Sequence, residues 1–137
     1  MRIVLDVNIL ASAALKDASV PGLMLKIATG PGHELVISDV MMAELRHVLQ
    51  RPFFLARISA PDRREFAALV WELVNKYDPD PTVTGVADDE EDDRVLGTAV
   101  AANADVIVTG DKGMLRLVAC HGIPIVTARQ FFALVEL

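Results

Sequence analysis

Two short runs of branched apolar residues, one at each end of the chain, stop at an aspartate. The first is Ile3-Val4-Leu5, followed by Asp6. The second is Val106-Ile107-Val108, which passes through Thr109 and Gly110 to Asp111. Runs this short and this continuous fit strands buried on both faces, as in a parallel sheet. Such strands need a cover on each side, so the segments between them must be largely helical. The carboxyl ends of the strands form the edge where open α/β sheets bind ligands. Each run therefore delivers an acid to that edge.

The rest of the chain supplies the alternation this requires. Residues 2–6 read as a strand, and a helix starts near Asn8, with Ile9, Leu10 and Ala11 in its first turn. Ser19 can cap a second helix, Pro21 suits its first turn, and Gly30-Pro31-Gly32 ends it after about Thr29. A strand is expected over 34–38. Ser38 or Asp39 then caps a helix to about Gln50, which Pro52 closes, and 53–58 looks helical. Pro61-Asp62 opens a helix to about Tyr77, and 78–81 is an extended break. Residues 82–86 read as a short strand. The acidic run from Asp88 to Asp93 leads into a helix that ends near Asn103. A strand over 105–109, a short helix over 112–119, a strand over 123–126 and a helix over 128–136 complete the chain. The pattern predicts a single α/β domain over residues 1–137, with a central parallel sheet of four to five strands covered on both faces.

Composition narrows the chemistry. With 53% apolar residues the chain is not disordered. No apolar run approaches the roughly 18 residues of a membrane span, and Asp6 interrupts the N-terminal run too early for a secretory signal. Cys120 stands alone, so no internal disulfide can form, which fits a reducing compartment. The expectation is a soluble cytoplasmic protein. His33, His47 and His121 share no zinc-ligand spacing, and there is no Cys-x-x-Cys. Lys112-Gly113 lacks the spacing of a phosphate-binding loop. The net charge of −6 argues against a nucleic-acid partner only weakly, because four acids gathered around a metal would account for most of it.

The acids are each ambiguous alone. Asp6 and Asp111 could simply cap the helices that follow, although Asn8 could equally cap the first and leave Asp6 free. Thr109 could orient the Asp111 carboxylate. Glu44 lies inside a helix on the face of Val40, Met41 and Val48, with no Lys or Arg three or four residues away. Asp92 and Asp93 open a helix whose apolar stripe includes Val95, Leu96, Ala99 and Val100. A helix dipole favours acids there. Six acids in succession nevertheless repel one another, which a cation would relieve; the first of them read as a solvated loop. Two strand ends and two helices thus bring carboxylates toward one edge. Oxygen-only ligands select a hard cation, Mg²⁺ or Mn²⁺, and such ions suit phosphodiester hydrolysis.

In these segments the chain resembles the PIN domain family. The resemblance is carried by Ile3 through Asn8, by Ile37-Ser38 through Ala43-Glu44-Leu45, by Asp92-Asp93-Arg94-Val95-Leu96, and by Ala104 through Asp111. It covers nearly the whole chain. It implies a three-layer α/β/α fold and a metal-dependent endoribonuclease, such as the VapC-like toxins of toxin–antitoxin pairs. It carries over Asp6, Glu44, Asp111 and one of Asp92 and Asp93 as metal-coordinating catalytic acids, with Asn8 and Thr109 in support. Asp92 fits the family spacing better, with Val95, Gly97 and Ala99 after it; Asp93 is followed by Leu96, Thr98 and Val100. One departure stands out: many relatives carry another acid two residues after Asp111, where this chain has Gly113.

The resemblance further implies Mg²⁺ or Mn²⁺ as cofactor, RNA as substrate, an antitoxin protein as partner and a homodimer. Arg94 and Lys112 adjoin site acids and could meet RNA phosphates or simply be solvated. Phe53, Phe54, Phe66 and Trp71 could supply a partner surface or ordinary core. Two other readings remain: a catalytically impaired PIN-like binding module, and a phospho-receiver signalling domain. The latter fits poorly, since Val7 stands where a second acid is needed and the last strand has no lysine.

Overall fold

A computed structural model describes residues 1–135. Its centre is β1 (Arg2–Leu5), which pairs in parallel with β2 (Glu34–Ile37) on one side and with β4 (Val106–Val108) on the other. Beyond β2 lies β3 (Asn75–Lys76); beyond β4 lie β6 (Ile123–Val126) and then β5 (Ala119–Cys120), which runs antiparallel to β6. The spatial order is β3-β2-β1-β4-β6-β5. The chain builds outward from β1 through β2 and β3, then returns to the other side of β1 with β4, next to which β6 inserts inside the edge strand β5. Where the direction reverses, between β1 and β4, a crevice opens at the carboxyl ends of the strands.

The continuous apolar runs behave as their composition requires. Ile3, Val4, Leu5, Val106, Ile107 and Val108 are fully buried. Helices cover the sheet: α1 (Val7–Ala13), α2 (Val20–Ala28), α3 (Asp39–Val48), α4 (Pro52–Leu55), α5 (Ala60–Leu73), α6 (Glu90–Ala101), α7 (Lys112–Leu115) and α8 (Ala128–Val135). Several of their starts are fixed by side-chain caps. Ser19 accepts from the Gly22 amide, Ser38 from that of Met41 and Ser59 from that of Asp62. Of the two candidates for the third helix, Ser38 is the cap.

Three expected elements come out differently. Residues 82–86 form no strand; they make a turn and bends. The helix expected to reach Tyr77 stops at Leu73, because Asn75 and Lys76 instead pair with Val36 and Ile37 at the open edge of β2. The helix expected over 112–119 stops at Leu115: Val118 has φ 65°, and the chain turns there into a hairpin through His121 and Gly122, with φ 49° and 79°. The sheet consequently has six strands, two of them two-residue edges. The last helix is seen to Val135, and position 136 lies outside the described residues. Phe54 is buried, Phe66 and Trp71 pack partly against the core, and Phe53 is half exposed.

Candidate active site

The β1–β4 register aligns Leu5 with Val108, so the residues that follow emerge side by side. The Asp6 amide donates to the Val108 carbonyl at 3.0 Å. Asp6 caps α1, its Oδ1 accepting from the Ile9 amide at 2.8 Å, while its Oδ2 accepts from the Thr109 hydroxyl. The same hydroxyl oxygen accepts from the Asp111 amide at 3.0 Å. Thr109 therefore orients the Asp6 carboxylate and the Asp111 backbone, rather than the Asp111 carboxylate. Asp111 caps α7 through Oδ2 and the Met114 amide at 2.8 Å. Each strand-end aspartate thus serves as a cap and still borders the crevice.

That crevice is a cleft of about 340 Å³, lined by Asp6, Asn8, Glu44, Asp92 and Asp111 among others. Burial pushes the Asp6 carboxyl above its usual 3.8; the hydrogen bonds from Thr109 and from backbone amides oppose this, and Asp111 adds repulsion. Asp92 is half-buried in the first turn of α6. Burial, then the charges of Asp89, Asp111, Asp6 and Glu91, push its carboxyl up to about 7. The wall opposite comes from α3, where Glu44 faces the cleft. Glu44 is not without a partner: Arg51, just past the end of α3, approaches it to 3.8 Å. That residue is seven positions on, beyond the three-to-four spacing considered in the sequence.

Asp93 points elsewhere. Its Oδ2 accepts from the Gly85 amide at 2.8 Å, and its Oδ1 from the Val86 and Ala87 amides at 3.1 and 2.7 Å. The buried Asp93 carboxylate thereby replaces the expected strand at 82–86 as the organiser of that segment. It borders a neighbouring cleft, not the one that holds Asp6 and Asp111. Arg94 lines the first cleft and lies 3.8 Å from Glu90. Lys112 is exposed on α7.

The sequence reading missed Asp89, Glu91 and Arg51, which also line the cleft. Asp89 had a visible signal: an acid three residues before Asp92 can cap the helix, and its Oδ1 accepts from the Asp92 amide at 2.8 Å. Among the described residues, no three His, Cys, Asp or Glu side chains converge into a ready-made metal cage. The cleft acids are oxygen donors around a shared opening whose mutual repulsion already shows in Asp92.

The sequence model of the PIN domain matches residues 2–113. The chain belongs to the PIN domain family. No curated protein matches this PIN domain in sequence. Solved structures match its fold. VapBC2 from Rickettsia felis, solved bound to a DNA fragment from their promoter, shares 16% identity over 93% of this chain and 98% of that one, at a TM-score of 0.66. PAE2754 from Pyrobaculum aerophilum shares 17% over 97% and 88%, also at 0.66. VapBC-1 from nontypeable Haemophilus influenzae shares 17% over 94% and 99%, at 0.63. Among the described residues of this PIN domain, no helix is long and apolar enough to cross a membrane.

Proposed function

We propose that this PIN domain is a Mg²⁺- or Mn²⁺-dependent endoribonuclease that acts as the toxin of a toxin–antitoxin pair. The observation that carries the proposal is the convergence of Asp6, Glu44, Asp92 and Asp111 on one cleft at the switch point of the sheet. The donor set suits a hard divalent cation. The repulsion that raises the Asp92 carboxyl to about 7 is of the kind a cation relieves. Asp6, Glu44, Asp92 and Asp111 are the residues proposed to hold the ion, with Asp93 given to the 85–87 segment instead. When bound, such an ion would lower the pKa of a coordinated water and offset charge on the phosphoryl oxygens.

The chain's own residues supply the rest. Thr109 and the Ile9 amide fix both oxygens of Asp6, so that carboxylate needs little reorganisation on loading. Asp92, with a carboxyl near 7 in the metal-free protein, can hold or release a proton at neutrality. Asn8 offers an amide at the mouth of the cleft, and Arg51 and Arg94 are cations on its lining that can face phosphate. The antitoxin partnership is supported by the fold likeness to chains solved as VapBC complexes. Homodimerisation is proposed on the family resemblance, and the exposed Phe53, Leu55, Leu69 and Leu73 are apolar surface available to a partner.

The test is cleavage of single-stranded RNA with and without Mn²⁺, beside the Asp6→Asn variant. Cleavage that needs Mn²⁺ and disappears in the variant is expected; equal activity in the variant would refute the assignment. One observation favours the binding-module reading: Arg51 sits on Glu44, a cation where the ion's fourth acid should be free. Absence of heat on Mn²⁺ titration would favour that module.

A further inference from the structure

Two buried hydroxyls lie behind the cleft and take no part in its lining. Ser38 follows the last residue of β2 and caps α3; Thr98 sits within α6. Both are fully shielded from solvent. The Thr98 hydroxyl lies 2.9 Å from the Ser38 hydroxyl and 2.7 Å from the Arg94 carbonyl, and the Ser38 oxygen accepts from the Met41 amide at 3.3 Å. Each hydroxyl has a single proton to give. The Arg94 carbonyl can only accept, so the Thr98 proton goes there and Ser38 donates to Thr98. The result is one directed relay: Met41 amide to Ser38, Ser38 to Thr98, Thr98 to the Arg94 carbonyl. Neither buried hydroxyl is left unsatisfied. Among the described residues, no other side-chain hydrogen bond joins α3 and its cap to α6. Glu44 lies six residues after Ser38, and Asp92 six residues before Thr98. The link thus stands roughly 9 Å of helix away from each of the two acids that face the cleft from α3 and α6.

We propose that Ser38 and Thr98 are positioning residues of the cleft: their relay sets the spacing between Glu44 on α3 and Asp92 on α6. The proposal rests on reading the cleft as a divalent-cation site, and it adds no ligand to that site. A small hard cation tolerates little error in the placing of its oxygens. Carboxylates on two separate helices meet that demand only if the helices keep one separation and one register. Apolar contact between helices is non-directional and lets them slide. A buried hydrogen bond is directional and fixes the register where it stands. Thr98 touches neither cation nor substrate; it acts through the two helices it joins.

Mn²⁺ titration calorimetry on the full chain tests this, with folding of each variant checked by circular dichroism. Thr98→Val keeps the shape of the side chain and breaks the relay. It should weaken Mn²⁺ binding roughly tenfold, the scale seen when a group that orients metal ligands is removed. Thr98→Ser keeps the hydroxyl and should bind as the unaltered chain does. In the Ser38→Ala background, Thr98→Val should cost no further affinity, because the relay is already broken. Phe131→Leu is the control for general loosening: Phe131 is buried on α8, which packs on α2 and β6. It should lower the melting temperature and leave Mn²⁺ affinity unchanged. If Thr98→Val melts lower yet binds Mn²⁺ like the unaltered chain, while Asp111→Asn does not, the hydroxyls serve stability alone and the cleft remains a metal site. If Phe131→Leu weakens binding as much as Thr98→Val, the loss is loosening and the positioning role is refuted. If the losses from Ser38→Ala and Thr98→Val add, the two hydroxyls do not act as one link. If the unaltered chain takes up no Mn²⁺, the cleft reading falls and this proposal falls with it.

Discussion

Replacing Asp92 by Asn removes a charge with almost no change in shape, and the surroundings of Asp92 set the size of the effect. Its carboxyl is raised from 3.8 to about 7, first by burial and then by Asp89, Asp111, Asp6 and Glu91. Fully expressed, that shift is worth about 4 kcal/mol. The carboxyl is only half-buried, so solvent screening reduces the figure to about 1–2 kcal/mol. The sign follows from proton linkage. The folded chain holds this proton more tightly than the unfolded chain, so between pH 3.8 and about 7 stability falls as pH rises. Above that window the whole penalty is present; below it there is none. In EDTA, Asp92→Asn should therefore raise the melting temperature by roughly 3–8 °C at alkaline pH and leave it nearly unchanged below pH 3.8. Adding Mn²⁺ should reverse the order, because ligand binding stabilises only the chain that retains its site. Thermal melts followed by circular dichroism at both pH values, with EDTA and with Mn²⁺, measure this directly. A variant that melts at or below the unaltered chain at alkaline pH without metal would refute the claim that the cleft acids crowd one another. So would an equal gain at both pH values.

Asp93→Ala should lower stability by about 2–4 kcal/mol, since three backbone amides lose their acceptor; an unchanged urea midpoint would show that the carboxylate does not hold the 85–87 segment. Thr109→Val keeps the shape but deletes the hydroxyl shared by Asp6 and the Asp111 amide, and should cost about 1–3 kcal/mol along with Mn²⁺ affinity. Full retention of both in melting and calorimetry would count against that link. Val118→Gly should stabilise by up to about 1 kcal/mol, because a β-branched residue is held at positive φ there while its side chain is exposed. A lower melting temperature would mean that the Val118 side chain makes contacts worth more than its strain.

What the sequence made legible follows from where side chains decide the structure. β1 and β4 are unbroken apolar runs, and burial on both faces leaves them no other role. β3 could not be read, because Asn75 and Lys76 are exposed and carry no apolar pattern; they pair because β2 offers an unfilled backbone edge. The strand expected at 82–86 had branched residues, Val83, Thr84 and Val86, but the Asp93 carboxylate takes the amides that a neighbouring strand would need. Asp92 and Asp93 looked alike in sequence, but neighbours on a helix point about 100° apart, and the Asp93 carboxylate is turned to the 85–87 amides while Asp92 lines the cleft. The family spacing favoured Asp92, and Asp92 is the one that borders the cleft. Arg51 escaped notice because it meets Glu44 from beyond the end of α3, where helical periodicity no longer predicts neighbours.

The Thr109–Asp6 hydrogen bond joins residues 103 positions apart. β1 is synthesised well before its partner β4. Until β4 emerges, Asp6 has neither its neighbouring strand nor the hydroxyl that fixes it, and Asp111 has not been made. The acids of the cleft therefore cannot assemble on a nascent chain. For a protein proposed to cut RNA, this topology delays the formation of its site until β4 has been made, and a chain truncated before β4 has no site at all.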